Sequence, residues 1–505
     1  MDKYNVMLSL LVAVSLLISG CGGGSSANPG SDPNTGGNSG GSNLPLTIGG
    51  TITGNDASVT LSLNGTEETF TSSPFIFTAD LAEGDQYMVL FVSTPANQQC
   101  TIVNGAGTIA SSVSNISVTC TDPITLLQYQ DAQITGIMRS GDFDGDGFID
   151  LVFSILTLET HPTGSNNSMF RVTYGNGTGS FSGITDIPRL NSSDADKRGH
   201  LLVAGDFNGD GLNDFAYAGG NVLELFSGDP ARIHPSIYRV NDITRVIGAP
   251  IYAIDTDNDD DLDIITLQSS LFLTENIGGN FDGTTIYSSD LISATNLITG
   301  DFNGDNINDV LIIGLNGIND INLAVFAGNI SGGFDLPSSI TPLSNDLFMG
   351  GNAFDLPSKD LAAGDFDGDG LLDVAITSTT DFVQIMMGNG AGGFTVGQRV
   401  IVGTRPIHVR AADFDLDGIT DLATINQDSK TIIISLGNGD GTFADNTGSD
   451  VRSISILLDR DVDLFDMDIA NIDGGNYPDI ILAENGTNPP NTGRGSVQIF
   501  LNPAR

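Results

Sequence analysis

Asp142-Phe-Asp144-Gly-Asp146-Gly-Phe148-Ile-Asp150 decides the architecture of this chain, because the same nine-residue pattern keeps returning. It recurs as Asp206-Phe-Asn208-Gly-Asp210-Gly-Leu212-Asn-Asp214 and as Asp255-Thr-Asp257-Asn-Asp259-Asp-Asp261-Leu-Asp263. Asp301-Phe-Asn303-Gly-Asp305-Asn-Ile307-Asn-Asp309 and Asp365-Phe-Asp367-Gly-Asp369-Gly-Leu371-Leu-Asp373 follow. The sixth copy is Asp413-Phe-Asp415-Leu-Asp417-Gly-Ile419-Thr-Asp421, and an altered seventh is Asn471-Ile-Asp473-Gly-Gly-Asn-Tyr477-Pro-Asp479. Consecutive starts lie 64, 49, 46, 64, 48 and 58 residues apart. Self-similarity at such a period marks an array, a solenoid or a propeller.

Hard oxygen donors at positions 1, 3, 5 and 9, with a backbone carbonyl at 7, can wrap one Ca²⁺ in a tight loop, and glycine in the middle permits the turn. Six copies in register point to about six calcium ions, since carboxylates packed this densely repel one another without a cation. An EF-hand is excluded: it needs a chelating Glu at position 12, where this chain has Phe153, Tyr217, Thr266, Ile312, Ile376 and Thr424. Short apolar runs flank each loop instead, such as Leu361-Ala-Ala363 before and Val374-Ala-Ile376 after, and these read as buried strands. A glycine turn comes later in several repeats, as in Gly388-Asn-Gly-Ala-Gly392-Gly-Phe394 and Gly437-Asn-Gly-Asp-Gly441-Thr-Phe443. Each repeat then holds four strands, and seven repeats predict a seven-bladed β-propeller.

These motifs resemble the FG-GAP and VCBS repeats of the integrin α-subunit propeller and of many bacterial surface proteins, over about residues 123–505. The resemblance implies calcium ligation by positions 1, 3, 5, 7 and 9 of the first six loops. It places the seventh loop in question, because Asn471 and Gly475 replace ligands. The absence of Trp argues against a WD-type propeller. The last apolar run, Ser496 to Asn502, matches a third strand, so Ile124 to Gln130 is expected to supply the outer strand of the last blade and to cover its edge.

Eighteen Lys and Arg face 62 Asp and Glu, a net charge of −44 that six calcium ions would only partly offset. Nucleic acid and anionic lipid surfaces are therefore poor partners. Residues 1–20 read as a secretory signal whose apolar run, Val6 to Ile18, is too short to span a bilayer. Leu17-Ile-Ser-Gly-Cys21 resembles the bacterial lipobox, which implies cleavage before Cys21, its acylation, and anchoring at the outer membrane facing the periplasm or the cell surface. Residues 21–44 are a Gly/Ser/Asn tether. Residues 45–122 read as a small immunoglobulin-like β-sandwich with turns at Asn64-Gly65 and Asn104-Gly105. In an exported β-rich domain Cys100 and Cys120 are expected to form a disulfide worth about 3 kcal/mol.

No catalytic motif stands out. His161, His200, His234 and His408 share no metal-ligand spacing, and neither a nucleophile elbow nor a phosphate-binding loop occurs. The expected function is a monomeric, membrane-anchored binding or adhesion module without catalysis, its ligand an unidentified protein or polysaccharide. The alternative is a polysaccharide-active lyase or hydrolase. Binding is expected on the face opposite the calcium loops, where long insertions fall at 158–169, 191–199, 344–358 and 445–460.

Overall fold

The computed structural model describes residues 46–502 apart from short internal stretches, the longest being 189–201, 242–250 and 348–359. All of its named elements are β-strands. Seven four-stranded antiparallel sheets follow one another along the chain from residue 132, each a blade. Their first strands are Ala132–Gly141, Leu202–Gly205, Ile251–Ile254, Asn296–Gly300, Leu361–Gly364, Pro406–Ala412 and Asp463–Ala470. These form the inner wall, and that of blade 7 lies against that of blade 1. The predicted propeller is present.

Every second strand begins on the ninth loop residue: Asp150–Thr160, Asp214–Gly219, Asp263–Leu267, Asp309–Leu315, Asp373–Thr377, Asp421–Asn426 and Asp479–Gly486. Those of blades 3 to 6 are buried at every position, because a neighbouring blade covers each face. That explains their continuous apolar sequence, where a one-sided strand would alternate. The core is accordingly divided into one hydrophobic cluster per junction between blades, seven in all, including blade 7 on blade 1.

Blade 7 has three strands of its own, and its fourth is Ile124–Leu126, paired antiparallel with Arg494–Phe500 at Val497↔Leu126, Gln498↔Thr125 and Ile499↔Ile124. The expected closure is therefore observed, over three residues; 127–131 lie outside the described residues. Deleting 123–130 removes this ladder, at about 1 kcal/mol for each lost hydrogen bond, and bares a strand edge. The deletion is expected to lower the thermal midpoint and promote association; an unchanged midpoint would refute the closure's importance.

Two of the expected insertions are partly strand. Asp150–Thr160 and Asn166–Gly175 form a long hairpin across 158–169, and 445–460 contains Ser453–Leu457, the outer strand of blade 6. The longer ladders satisfy the backbone of these segments within the sheets. The segment 191–199 and most of 344–358 lie outside the described residues.

The small domain packs two four-stranded sheets over one core that includes Val59, Leu61, Phe75, Val89, Ile116 and Val118. Asn64 and Gly65 both take positive φ between the strands Val59–Leu63 and Thr66–Phe70, as a two-residue hairpin demands. Cys100 and Cys120 face each other on adjacent strands and are joined, S–S 2.04 Å. The bridge thus ties two strands of one sheet, whereas an antibody-type domain joins its two sheets. Cys21, with the whole signal and tether, lies outside the described residues.

Candidate functional site

Loops 1, 2, 4, 5 and 6 share one construction: positions 4 and 6 turn the chain through left-handed backbone, for instance Gly368 (φ 75°) and Gly370 (φ 85°). In loop 5 the first carboxylate, Asp365, accepts from the N–H groups of both, at 2.7 and 2.9 Å. Asp367 accepts from Asp369 N, and Asp369 from Leu371 N. Each side chain thus folds the loop back on itself. Loop 1 repeats this network through Asp142, Asp144, Asp146 and Phe148. Loop 2 repeats it through Asp206, Asn208, Asp210 and Leu212, and loop 4 through Asp301, Asn303, Asp305 and Ile307. In loops 3 and 6 the N–H groups of Asp261 and Ile419 again bond to Asp259 and Asp417.

The ninth residue does a second job that its spacing did not disclose. In loop 5, Asp373 is 1% exposed. One oxygen accepts from Phe366 N at 2.9 Å and the other from Gly388 N at 2.7 Å, at the end of the third strand. Asp150, Asp214, Asp263, Asp309, Asp421 and Asp479 make the same paired contacts. This carboxylate bolts the loop to the blade. Burial pushes Asp150 and Asp421 up to about 7, and Asp214, Asp263, Asp309 and Asp373 to about 6, against the lowering effect of the two N–H donors. Nearby loop carboxylates add to the rise.

Among the described residues, four loops gather three carboxylates whose oxygens lie within 4.8 Å of one another and could hold a metal ion. They are Asp142, Asp144 and Asp146; Asp255, Asp257 and Asp259; Asp365, Asp367 and Asp373; and Asp413, Asp415 and Asp421. An all-oxygen set of this charge fits a hard divalent cation. Loops 2 and 4 differ, because Asn208 and Asn303 point an amide nitrogen at Asp214 and Asp309, 3.3 Å each. In loop 7 the Asn471 amide bonds to the Gly475 carbonyl, a neutral contact closing the loop. Loop 6 carries strain: Leu416 takes φ 59° at position 4, where loops 1, 2, 4 and 5 have glycine. Left-handed backbone costs a branched side chain about 1–2 kcal/mol, less about 0.4–1 for glycine's freer unfolded chain. Leu416→Gly is therefore expected to raise stability by roughly 0.5–1 kcal/mol; a lower thermal midpoint would contradict this.

Two features escaped the sequence reading. Position 2 is a core anchor: Phe143, Phe207, Phe302, Phe366 and Phe414 are at most 2% exposed, each seated in the cluster shared with the next blade. The recurring Phe in the motif was the available signal. The inner wall also carries a polar chain. Arg139 Nη1 meets Asp466 at 2.9 Å, and Arg410 Nη2 lies 3.7 Å from that carboxylate. Arg410 Nη1 and His408 Nδ1 reach Asp360 at 2.5 and 3.0 Å. Asp360 accepts from Asn296, which bonds in turn to the Tyr252 hydroxyl. Burial acts to raise Asp360, but the Arg410 guanidinium and then His408 outweigh it and hold the carboxyl well below its usual range. These residues lie far apart in sequence, so no motif announces them. His234 is buried, its Nε2 2.9 Å from the Tyr174 hydroxyl. His161 and His200 lie outside the described residues.

The model of the FG-GAP-like repeat matches residues 142–217 and 365–424, from loop 1 into blade 2 and from loop 5 into blade 6. No curated protein matches the chain. Solved structures of similar fold include BBS1N in complex with ARL6DN, at 9% identity and TM-score 0.45, covering 76% of this chain and 96% of that one. An Agrocybe aegerita lectin that recognises non-reducing terminal N-acetylglucosamine has 16% identity and TM-score 0.42, covering 70% and 90%. The exotype rhamnogalacturonan lyase YesX has 14% identity and TM-score 0.29, covering 88% and 71%. Similarity this low carries no functional argument. The chain thus carries FG-GAP-like repeats on an all-β propeller.

Proposed function

We propose that this protein is a calcium-stabilised binding propeller without catalytic activity, held at a bacterial outer membrane by lipid on Cys21. The observation that carries the reading is the convergence of loop carboxylates around four points, each built into the junction between two strands of a blade. The sites take Ca²⁺ through Asp142, Asp144, Asp146 and Asp150 and their counterparts in the next five loops, with the position-7 carbonyls as further donors. Bound calcium neutralises a rim that is otherwise strongly anionic, and its role there is structural. The ligand, a protein or polysaccharide, binds the opposite face.

One observation favours the polysaccharide-active alternative: Tyr252, His408, Arg410 and Asp360 place acid–base groups together on the inner wall. Their mutual pairing suits a girdle that locks the blades, and we prefer that role. Residues 45–505 form one compact unit suited to a glycan and protein array with and without calcium. Selective, calcium-dependent capture of one ligand class supports the binding module. Release of unsaturated uronides from pectin or alginate would instead establish the enzyme.

A further inference from the structure

We propose that loop 1 is a guarded metal site. Its resident cation is the Arg232 guanidinium, so the loop takes a divalent ion more weakly than loops 5 and 6 and only by expelling that side chain. The inference rests on the metal-binding reading above.

Arg232 belongs to blade 2, in the turn between Val222–Phe226 and Ser236–Asn241. That turn is fastened to loop 1 of blade 1: Asp229 N donates to the Phe143 carbonyl at 2.9 Å, and Arg232 N donates to the Asp229 carbonyl at 2.7 Å. The guanidinium reaches Asp144 Oδ2 through Nε at 2.6 Å and Nη2 at 2.5 Å, and Nη2 lies 3.7 Å from Asp146 Oδ2. Its other side covers the Tyr174 ring, 4.1 Å from the centroid. The Asp144 side chain is only 2% exposed, so this is not a screened surface pair. Two of the three carboxylates that converge in loop 1 are therefore already facing a positive charge.

Loops 3 and 5 show what stands there when no arginine does. Gly332 and Gly441 come from the next blade's turn, and a side chain starting at either would have its Cβ 3.6 or 3.7 Å from the Cβ of Asp257 or Asp367, the third-position residues of loops 3 and 5. Both glycines have left-handed backbone, φ 77° and 79°, and Arg232 adopts the same region at φ 59°. A long side chain held where glycine suffices costs conformational energy, and such outliers persist where they serve a function. A divalent ion and a guanidinium cannot share the Asp144 oxygens, because like charges at that distance repel strongly. Arg232 is 40% exposed in its side chain, which leaves it a route into solvent when an ion arrives.

Calcium titration of the full chain by calorimetry, with bound ion counted after dialysis at fixed free calcium, tests this. The wild type should show a tight class of sites and one ion at least tenfold weaker. Arg232→Gln should move that ion into the tight class, and Arg232→Lys should leave it between. Asp144→Ala should abolish the weak ion and spare the tight ones, which locates it even if the Arg232 variants fold poorly. The chain has no Trp, so its emission reports tyrosine, and Tyr174→Phe should lose the part of any change that follows the weak phase. Unchanged ion number and affinity in Arg232→Gln, or loss of a tight ion in Asp144→Ala, overturns the proposal. Absence of any bound calcium in every variant overturns the metal reading itself, a different result.

Discussion

Stripping the protein of divalent ions at pH 8 is expected to lower its thermal midpoint by about 10 °C or more, while at pH 5 the same treatment changes little. Each ion held at a hundred times its dissociation constant contributes about 2.7 kcal/mol, and several sites share one ring. The pH arm follows from the ninth-position aspartates. Metal-free, Asp214, Asp263, Asp309 and Asp373 sit near 6, and Asp150 and Asp421 near 7, above the 3.8 of an ordinary aspartate. A carboxyl whose folded value is raised favours the fold while protonated, and that contribution is lost as pH rises through the folded value. The metal-free ring therefore weakens between about pH 4 and 7. A bound cation favours the ionised form, so its stabilisation grows over the same interval. Thermal unfolding of dialysed and calcium-loaded protein between pH 5 and 8 measures the gap. A gap that stayed constant, or narrowed toward pH 8, would remove the electrostatic basis for the acidic loops.

The second large effect is expected at Asp373. Replacing it by Ala leaves the buried Phe366 N and the part-buried Gly388 N without acceptors. Each unsatisfied donor costs about 1–3 kcal/mol, for a total of roughly 2–6 kcal/mol. Asp373→Asn keeps the shape but turns an amide N–H₂ toward one of the two donors, and should lose about half as much. Asp369→Asn, at an exposed loop position, should weaken calcium at loop 5 and leave metal-free stability almost unchanged. Urea midpoints of the metal-free variants separate the two roles. Equal losses for Asp369→Asn and Asp373→Ala would show that the ninth residue is a ligand and nothing more.

Spacing and residue type alone determined much of this protein. The nine-residue acidic pattern, the apolar runs on either side and the glycine turns specify strand, loop and strand again in each repeat, because turn chemistry and strand propensity are local properties. The pairing of Ile124–Leu126 with the last blade followed from counting strands, since an unpaired edge must be covered. The third dimension decided the rest. The buried role of Asp373 depends on Gly388 in the next strand, the anchoring of Phe366 on the cluster of blade 6, and the Asp360–Arg410 girdle on three blades meeting at one axis. Arg232 reaches Asp144 across 88 residues of chain. Such contacts join positions with no fixed separation, so periodicity is blind to them; only the closed ring, by setting each blade against the next, brings those charges together.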